Sequence, residues 1–350
     1  MKRGFRSDNN AGLCPEAADA IARANDASHQ VGYGDDPWTA DATAAFRRMF
    51  GAPTEVFFVA TGTAANGLAI AALTEPWQQV LCHRHSHYVE HESTAPERMT
   101  GCRTRVVGAP EADRIQPLDL EGLAAFPAGD VHEAQPGVLT LTNATEFGTC
   151  YRPEEMRELC ERAHALGYRV HVDGARFANA VASLGCDPRA LASDAGVDAL
   201  SFGGTKNGLA IGEAVLFFPQ GDGNTQRRAV ERFPFLRKAA GHLVSKHRFL
   251  AAPFTATLDE GTWLRHAAHA NAMASRLGRG FRERGIEPVH PVETNGVFVK
   301  LPTDVDASLT TAGYGYYPFG DPREAISRLL CSFDTTPEEV DDFIAAIPAG

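Results

Sequence analysis

The sequence predicts an α/β protein built on a doubly wound or related sheet, followed by a smaller C-terminal α/β unit. Between Glu55 and Phe218 short apolar, β-branched runs alternate with alanine-rich amphipathic ones, the rhythm of strands and helices in such sheets. Two of the apolar runs end in turns that contain glycine, TGT at residues 61–63 and GGTKNG at 203–208. Strand-like patterns then return after a long helical stretch.

In chain order, the first 35 residues read as an arm and loop, with Gly32, Gly34 and Pro37 in GYGDDPW. Strands are expected at residues 55–60, 79–82, 137–141, 168–172, 199–202 and 213–218. Between them PEEMRELCERAHAL, residues 153–166, opens with proline and acids and lines Met156, Leu159, Cys160, Ala163 and Leu166 along one stripe, which makes it a helix with a favourable start. Residues 224–280 are helical in pattern, with proline only at Pro234 and Pro253. Strands at 286–290, 296–301 and 328–333 and a closing helix at 337–347 complete the smaller unit. A boundary near residue 250 divides the chain into 1–250 and 251–350. Neither internal repeats nor a low-complexity linker is evident, so the units are expected to pack closely.

Among the 350 residues, 44 acidic against 33 basic side chains leave a net charge of −11. That balance argues against nucleic acid as a partner, which is usually met by a basic face. With 44% hydrophobic and 22% charged residues the composition is that of a globular chain. No run approaches the roughly 18 apolar residues of a membrane span, and the opening MKRGFRSDNN turns polar at once, so a cytosolic location is expected. Seven scattered cysteines without a CxxC pair fit reduced core thiols.

Four segments could carry chemistry. Thr61-Gly62-Thr63-Ala64-Ala65-Asn66 follows an apolar strand and opens a helix; its free amides suit an anion such as phosphate, although a threonine-capped turn reads equally well. In His171-Val172-Asp173-Gly174-Ala175-Arg176 a strand delivers an aspartate to its carboxyl end, where open α/β sheets bind ligands. Asp173 there could ligate a metal, orient a histidine or hold a proton on a heterocyclic nitrogen; it could also merely cap the next helix. In Ser201-Phe202-Gly203-Gly204-Thr205-Lys206-Asn207-Gly208, glycines leave one lysine free to reach a cofactor, the alternative being a solvated loop lysine. Lysine, aspartate and a phosphate turn together form the three-point grip that pyridoxal phosphate needs. Finally, His83, His85 and His87 would share one face of a strand. A metal site is weighed against an imidazole at His87 stacking on a cofactor ring, and the latter is the better reading because no carboxylate stands at a zincin spacing.

With Ser7-Asp8-Asn9, GYGDDPWTA, SHYVEHE, HLVSKHRFLAAP and SRLLCSFDT, these segments in their order and spacing resemble the L-threonine aldolases. These are fold-type-I pyridoxal-phosphate enzymes of the β-eliminating lyase group, and the likeness is to a bacterial low-specificity branch whose relatives include phenylserine aldolases. The resemblance implies a three-layer large domain with a mixed, mostly parallel sheet and a smaller C-terminal domain. It implies a Schiff base on Lys206, Asp173 against the pyridine nitrogen, Gly62, Thr63 and Thr205 toward the cofactor, and His87 on the ring. Arg176 and Arg328 with Ser7 would hold the substrate carboxylate, while Tyr33 and Glu92 would line or support the site. No metal is implied.

The activity implied is cleavage of L-threonine, L-allo-threonine and related β-hydroxy-α-amino acids to glycine and an aldehyde. The subunits would be paired in a homodimer or homotetramer with active sites at the dimer interface. One departure concerns the base for the β-hydroxyl proton: where many relatives carry a histidine, this chain has Thr145 in Asn143-Ala144-Thr145-Glu146. His87, or water held by His87 and Glu92, is favoured for that role, with Glu146 behind them. Competing readings are a phenylserine-preferring aldolase, another pyridoxal-phosphate lyase, aminotransferase or racemase, a non-catalytic cofactor carrier, and a metal-dependent hydrolase on the histidine cluster.

Overall fold

The computed structural model describes residues 4–109, 112–123, 129–219 and 224–348. Its helices are α1 (Pro15–Asp26), α2 (Pro37–Phe50), α3 (Gly62–Leu73), α4 (His87–Glu90), α5 (Ala95–Thr100), α6 (Pro153–Ala165), α7 (Phe177–Leu184), α8 (Asn224–Ala239), α9 (Arg248–Asp259), α10 (Thr262–Glu283), α11 (Thr303–Thr311) and α12 (Pro337–Ala345). The strands are β1 (Glu55–Val59), β2 (Gln78–His83), β3 (Arg103–Val107), β4 (Gln135–Thr142), β5 (Arg169–Gly174), β6 (Ala199–Gly203), β7 (Glu213–Phe217), β8 (Gly296–Lys300), β9 (Tyr317–Phe319) and β10 (Ile326–Leu330).

Seven strands form one sheet in the order β1-β7-β6-β5-β4-β2-β3. All neighbours pair in parallel except β7, which runs against both β6 and β1. The mixed, mostly parallel sheet thus has the form that the sequence implied. Parallel strands must be covered on both faces, and α3 shows how: every residue from Ala64 to Leu73 is buried, as befits a helix apolar all round. Local chemistry sets the ends of several helices. Asp36 accepts the Thr39 amide ahead of Pro37, and Thr336 and Glu339 form a reciprocal cap on α12.

The expected strands of the large sheet are present with shifts at their ends. β3 was not foreseen, because RTRVV alternates charge with apolar residues as an edge strand does. The helical stretch after Asn224 is three helices, interrupted where Gly241 and Gly261 adopt positive φ of 77° and 67°. The first 35 residues are more than an arm: α1 places Ala17, Ala20 and Ala24 on one buried stripe and packs against α9. Residues 1–3 of that segment lie outside the described residues. The stretch 286–290 is not a strand and makes a single bridge, Pro288 to Val299, since proline has no amide to donate. Both α11 and β9 were also missed.

The second sheet, β8-β10-β9, is antiparallel and packs under α10 and α12 with Phe281, Phe343 and Leu309 in its core. Residue 250 lies inside α9, whose Leu250, Ala251 and Phe254 pack in the large core. The change of core falls within α10, beyond the expected boundary: Trp263 and Ala267 belong to the first core, Ala274 and Phe281 to the second. All seven cysteines are free and six of them are buried. No helix among the described residues is long and apolar enough to cross a membrane.

Fully buried Phe46 in α2 is the hub of the large core, with ring centroids of Phe202 and Phe254 at 5.1 and 5.5 Å. Replacing it by alanine should cost about 3–5 kcal/mol, read as a lowered midpoint in thermal and urea unfolding.

Candidate active site

The parallel strands β2, β4, β5 and β6 all deliver their carboxyl ends to one cleft of about 240 Å³, which β10 and the segment around Ser7 close from the small-domain side. This is where open α/β sheets place ligands. β5 carries Asp173 there, and β6 is followed by a short 3-10 turn, Thr205–Asn207, that holds Lys206. β2 is followed by α4 with His87 at its start, and β10 contributes Arg328.

Asp173 is buried and fully hydrogen-bonded. Its Oδ1 accepts the Ala175 amide at 2.9 Å and its Oδ2 the Asn66 side-chain amide at 2.8 Å. Burial alone would raise its pKa, but His87, Lys206 and the Ala175 amide outweigh that and hold it below the ordinary aspartate value. Two residues back on β5, His171 sits between the Thr140 and Ser201 hydroxyls, and burial drives it down to about 4, so it is neutral. The Asn66 amide also donates to Glu92 at 2.8 Å, and Glu92 in turn bonds His87 Nδ1 at 2.8 Å. A continuous chain therefore links Asp173, Asn66, Glu92 and His87.

Burial and the nearby Arg176 guanidinium pull the Lys206 amine below its ordinary value, against Asp8, Asp173 and Glu213. A depressed lysine pKa is what carbonyl chemistry requires. Buried Glu213 on β7 accepts the Gly204 amide at 2.6 Å and the Thr205 hydroxyl, which braces the lysine turn from below. Arg176 does not stand free in the cleft. Its Nε and Nη2 form a two-pronged ion pair with buried Asp8 at 2.6 and 2.8 Å, and Asn295 adds a third bond to Asp8 at 3.0 Å. Arg328 is the cation left open, with no hydrogen-bond partner at its buried Nε. Burial and Arg176 lower it to about 10, so it stays protonated at neutral pH.

A second lobe of the cleft runs past Lys206 to the start of α3, where it is lined by Gly62, Thr63 and Thr205. Thr61 Oγ accepts the Ala64 amide, whereas the amides of Gly62 and Thr63 have no partner within a helix that starts here. Space around Gly62 is open, since an added Cβ would meet nothing within 4 Å. Amine, carboxylate and open helix N-terminus thus sit around one elongated space. The donor set fits pyridoxal phosphate: Lys206 for its aldehyde, Asp173 for its pyridine nitrogen, Gly62 and Thr63 for its phosphate.

The beta-eliminating lyase family model matches residues 4–304. The chain belongs to the beta-eliminating lyase family. Low-specificity L-threonine aldolases are among the family's curated relatives of this chain. That of Pseudomonas sp. is 42% identical over 346 residues, 99% of this chain and 97% of its own. The one from Pseudomonas aeruginosa is 43% identical over 337 residues, 96% and 94% of the two chains. The solved threonine aldolase of Leishmania major superposes with a TM-score of 0.89 at 25% identity, covering 97% of each chain. The architecture is thus that of fold-type-I pyridoxal-phosphate enzymes.

Of the residues expected at the site, Ser7, Gly62, His87, Glu92, Asp173, Arg176, Lys206 and Arg328 line the main lobe, and Thr63 and Thr205 the second. Tyr33 lines neither lobe of its own chain's cleft, is 53% exposed, and has the Lys238 amine 5.2 Å from its ring centroid. The shared strand face for the histidines is a correction: β2 ends at His83, so His85 falls in the turn and His87 in α4. His87, Glu92 and Asp173 bring ligand-capable atoms within 4.8 Å of one another, but the Asn66 amide already donates to both carboxylates. Asp8, Asn66, Glu213 and Asn295 were not assigned by sequence reasoning. Only Asn66 left a signal there, as the one amide in an otherwise apolar helix.

Removing Asp8 leaves a largely buried guanidinium without its partner, so Asp8→Ala should cost about 2–4 kcal/mol of stability. The Asp8 pKa is depressed in the folded chain: burial opposes this and Arg176 overrides it. Its contribution is therefore present above the ordinary aspartate value of about 3.9 and lost as pH falls through the folded value. Urea unfolding of wild type and variant across acidic pH should show the gap closing in that direction.

Proposed function

We propose that this chain is a pyridoxal-phosphate-dependent aldolase that cleaves L-threonine, L-allo-threonine and related β-hydroxy-α-amino acids to glycine and an aldehyde. One observation carries the reading: a half-buried amine with a lowered pKa, Lys206, shares a cleft with an ionised buried carboxylate, Asp173, and with Arg328, whose buried Nε has no hydrogen-bond partner. The curated relatives of that name support it. When bound, pyridoxal phosphate supplies the electron sink for the pair released as the Cα–Cβ bond breaks.

The chain's own residues do the rest. Lys206 would hold the cofactor through its aldehyde. Asp173 would keep a proton on the pyridine nitrogen, because an anion fixed by two hydrogen bonds favours the cationic ring. Arg328 would receive the substrate carboxylate, a charge-assisted contact that fixes the substrate's orientation. Arg176, held by Asp8, adds a fixed positive charge to the cleft. His87, oriented by Glu92, would stack on the ring.

Phe298, Phe319 and Leu330 line the cleft opposite the cofactor residues, which favours bulky β-substituents and keeps a preference for phenylserine as the second reading. A homodimer or homotetramer is part of this proposal. In such an assembly Tyr33, exposed and outside the cleft of its own chain, would be free to serve a partner's site. A cytosolic setting is part of the proposal and suits the free thiols, six of which are buried.

The purified protein should be yellow and should release acetaldehyde from L-threonine in a coupled dehydrogenase assay. Lys206→Ala should lose both the visible Schiff-base band and turnover, and a variant that kept either would remove the central assignment. For Arg328→Ala, glycine binding followed by spectral titration should weaken by about 10- to 100-fold, the worth of a hydrogen bond to a charged group. An unchanged affinity would move the carboxylate site elsewhere.

A further inference from the structure

The turn after β4 carries a carboxylate that the cofactor grip does not use. Glu146 lines the same cleft as Lys206, His87 and Arg328. Its Oε1 accepts the His87 backbone amide and the Thr142 hydroxyl, both at 2.8 Å. Both bonds fall on Oε1, so neither consumes Oε2. Among the described residues no lysine or arginine pairs with it. Glu146 is half-buried in the cleft, and a carboxylate partly withdrawn from water without a countercharge in contact is harder to keep ionised, as is common for groups that transfer protons.

The neighbouring candidates are occupied. Thr145 shares its buried hydroxyl with Thr149 at 2.8 Å, and Thr149 donates on to Asp113 at 2.7 Å. His87 has Nδ1 committed to Glu92. Asp173 and Glu92 are tied together through Asn66.

We propose that Glu146 is the catalytic base that takes the β-hydroxyl proton of the substrate. This rests on the aldolase reading above. As the proton passes to a Glu146 oxygen, the O–H pair becomes the second bond of the aldehyde carbonyl. The Cα–Cβ pair leaves into the electron sink that pyridoxal phosphate supplies. Glycine then takes one proton at Cα, and the proton on Glu146 leaves to water, so uptake and release balance.

The groups that face Glu146 set its proton affinity. Asp173 on β5 repels its charge, and Tyr151 and Cys82 are themselves pushed upward by it. Arg176 favours its ionised form, and the His87 amide and Thr142 hydroxyl donate to it. Burial outweighs the donors and raises Glu146 to about 7, which suits a base working near neutral pH.

Glu146→Gln tests this with little disturbance, since its carbonyl oxygen can still accept from His87 and Thr142. In holoenzyme this variant should lose about 100-fold or more in kcat on L-threonine. It should bind glycine as wild type does and exchange the glycine α-hydrogen with D2O within about threefold, because that exchange needs no β-hydroxyl base. The wild-type fall in kcat/KM below about pH 7 should be missing from the variant. In cofactor-free protein, the protonated-carboxyl infrared signal that titrates near neutral pH, to which Glu146 and Glu213 both contribute, should be smaller in this variant by the Glu146 component. Glu146→Ala should regain part of the lost rate with added formate.

Cleavage by Glu146→Gln within about threefold of wild type would overturn the proposal and return the role to His87. Equal loss of cleavage and α-hydrogen exchange would overturn it too, by showing a role in assembling the site. If wild type exchanges the glycine hydrogen yet releases no aldehyde from any β-hydroxy amino acid, the aldolase reading itself fails and takes this step with it.

Discussion

The ion pair between Asp8 and Arg176 is the contact on which the site depends. Asp8 is withdrawn from water and Arg176 largely so, and charges taken out of water are tolerable only when geometry and further hydrogen bonds compensate the lost hydration. Two parallel N–H···O bonds and the Asn295 amide provide that compensation. The pair draws together the N-terminal segment, the turn after β5 and the loop before β8, which are far apart in sequence. It also converts Arg176 from a mobile cation into a fixed one beside Lys206, and this lowers the lysine pKa without consuming the amine.

Around that pair the cleft sorts its carboxylates by their partners rather than by their depth. Asp173 and Glu213 are buried and Glu146 is half-buried. Asp173 faces His87, Lys206 and two hydrogen-bond donors and is held low. Glu146 has no opposite charge in contact, and Glu213 has mainly the donors of the lysine turn; both rise to about 7. Unequal compensation yields one permanent anion and two groups poised near neutrality. An enzyme that must hold one proton on a ring and move another from a hydroxyl needs that separation of roles.

The fold makes this sorting possible because parallel strands end together. Each of β2, β4, β5 and β6 presents its last residues and the following turn at the same edge, so residues separated by dozens of positions meet without long loops. Antiparallel β7 adds Glu213 from the opposite direction, beneath the lysine turn. The apolar α3 brings Asn66 to the centre, where one amide joins Asp173 to Glu92 and so couples the cofactor end of the cleft to His87.

The α/β class, the large-sheet strands and the lysine, aspartate and glycine turns were legible in sequence because they are local. Apolar periodicity and turn chemistry act over a few residues, and a lysine between glycines at a strand end reads the same in any context. Edge strand β3 escaped because its pattern is partly charged, and β9 because it is three residues long with a proline at its centre; the stretch at 286–290 misled because one proline removes the amide a strand needs. The partners of each charged group could not be read in this way. Nothing near Ser7 announces that Asp8 will seize Arg176, that Asn66 will bridge two carboxylates, or that Tyr33 will face outward from its own cleft. Those outcomes depend on which groups lose water together when distant segments pack, and that is decided only in three dimensions.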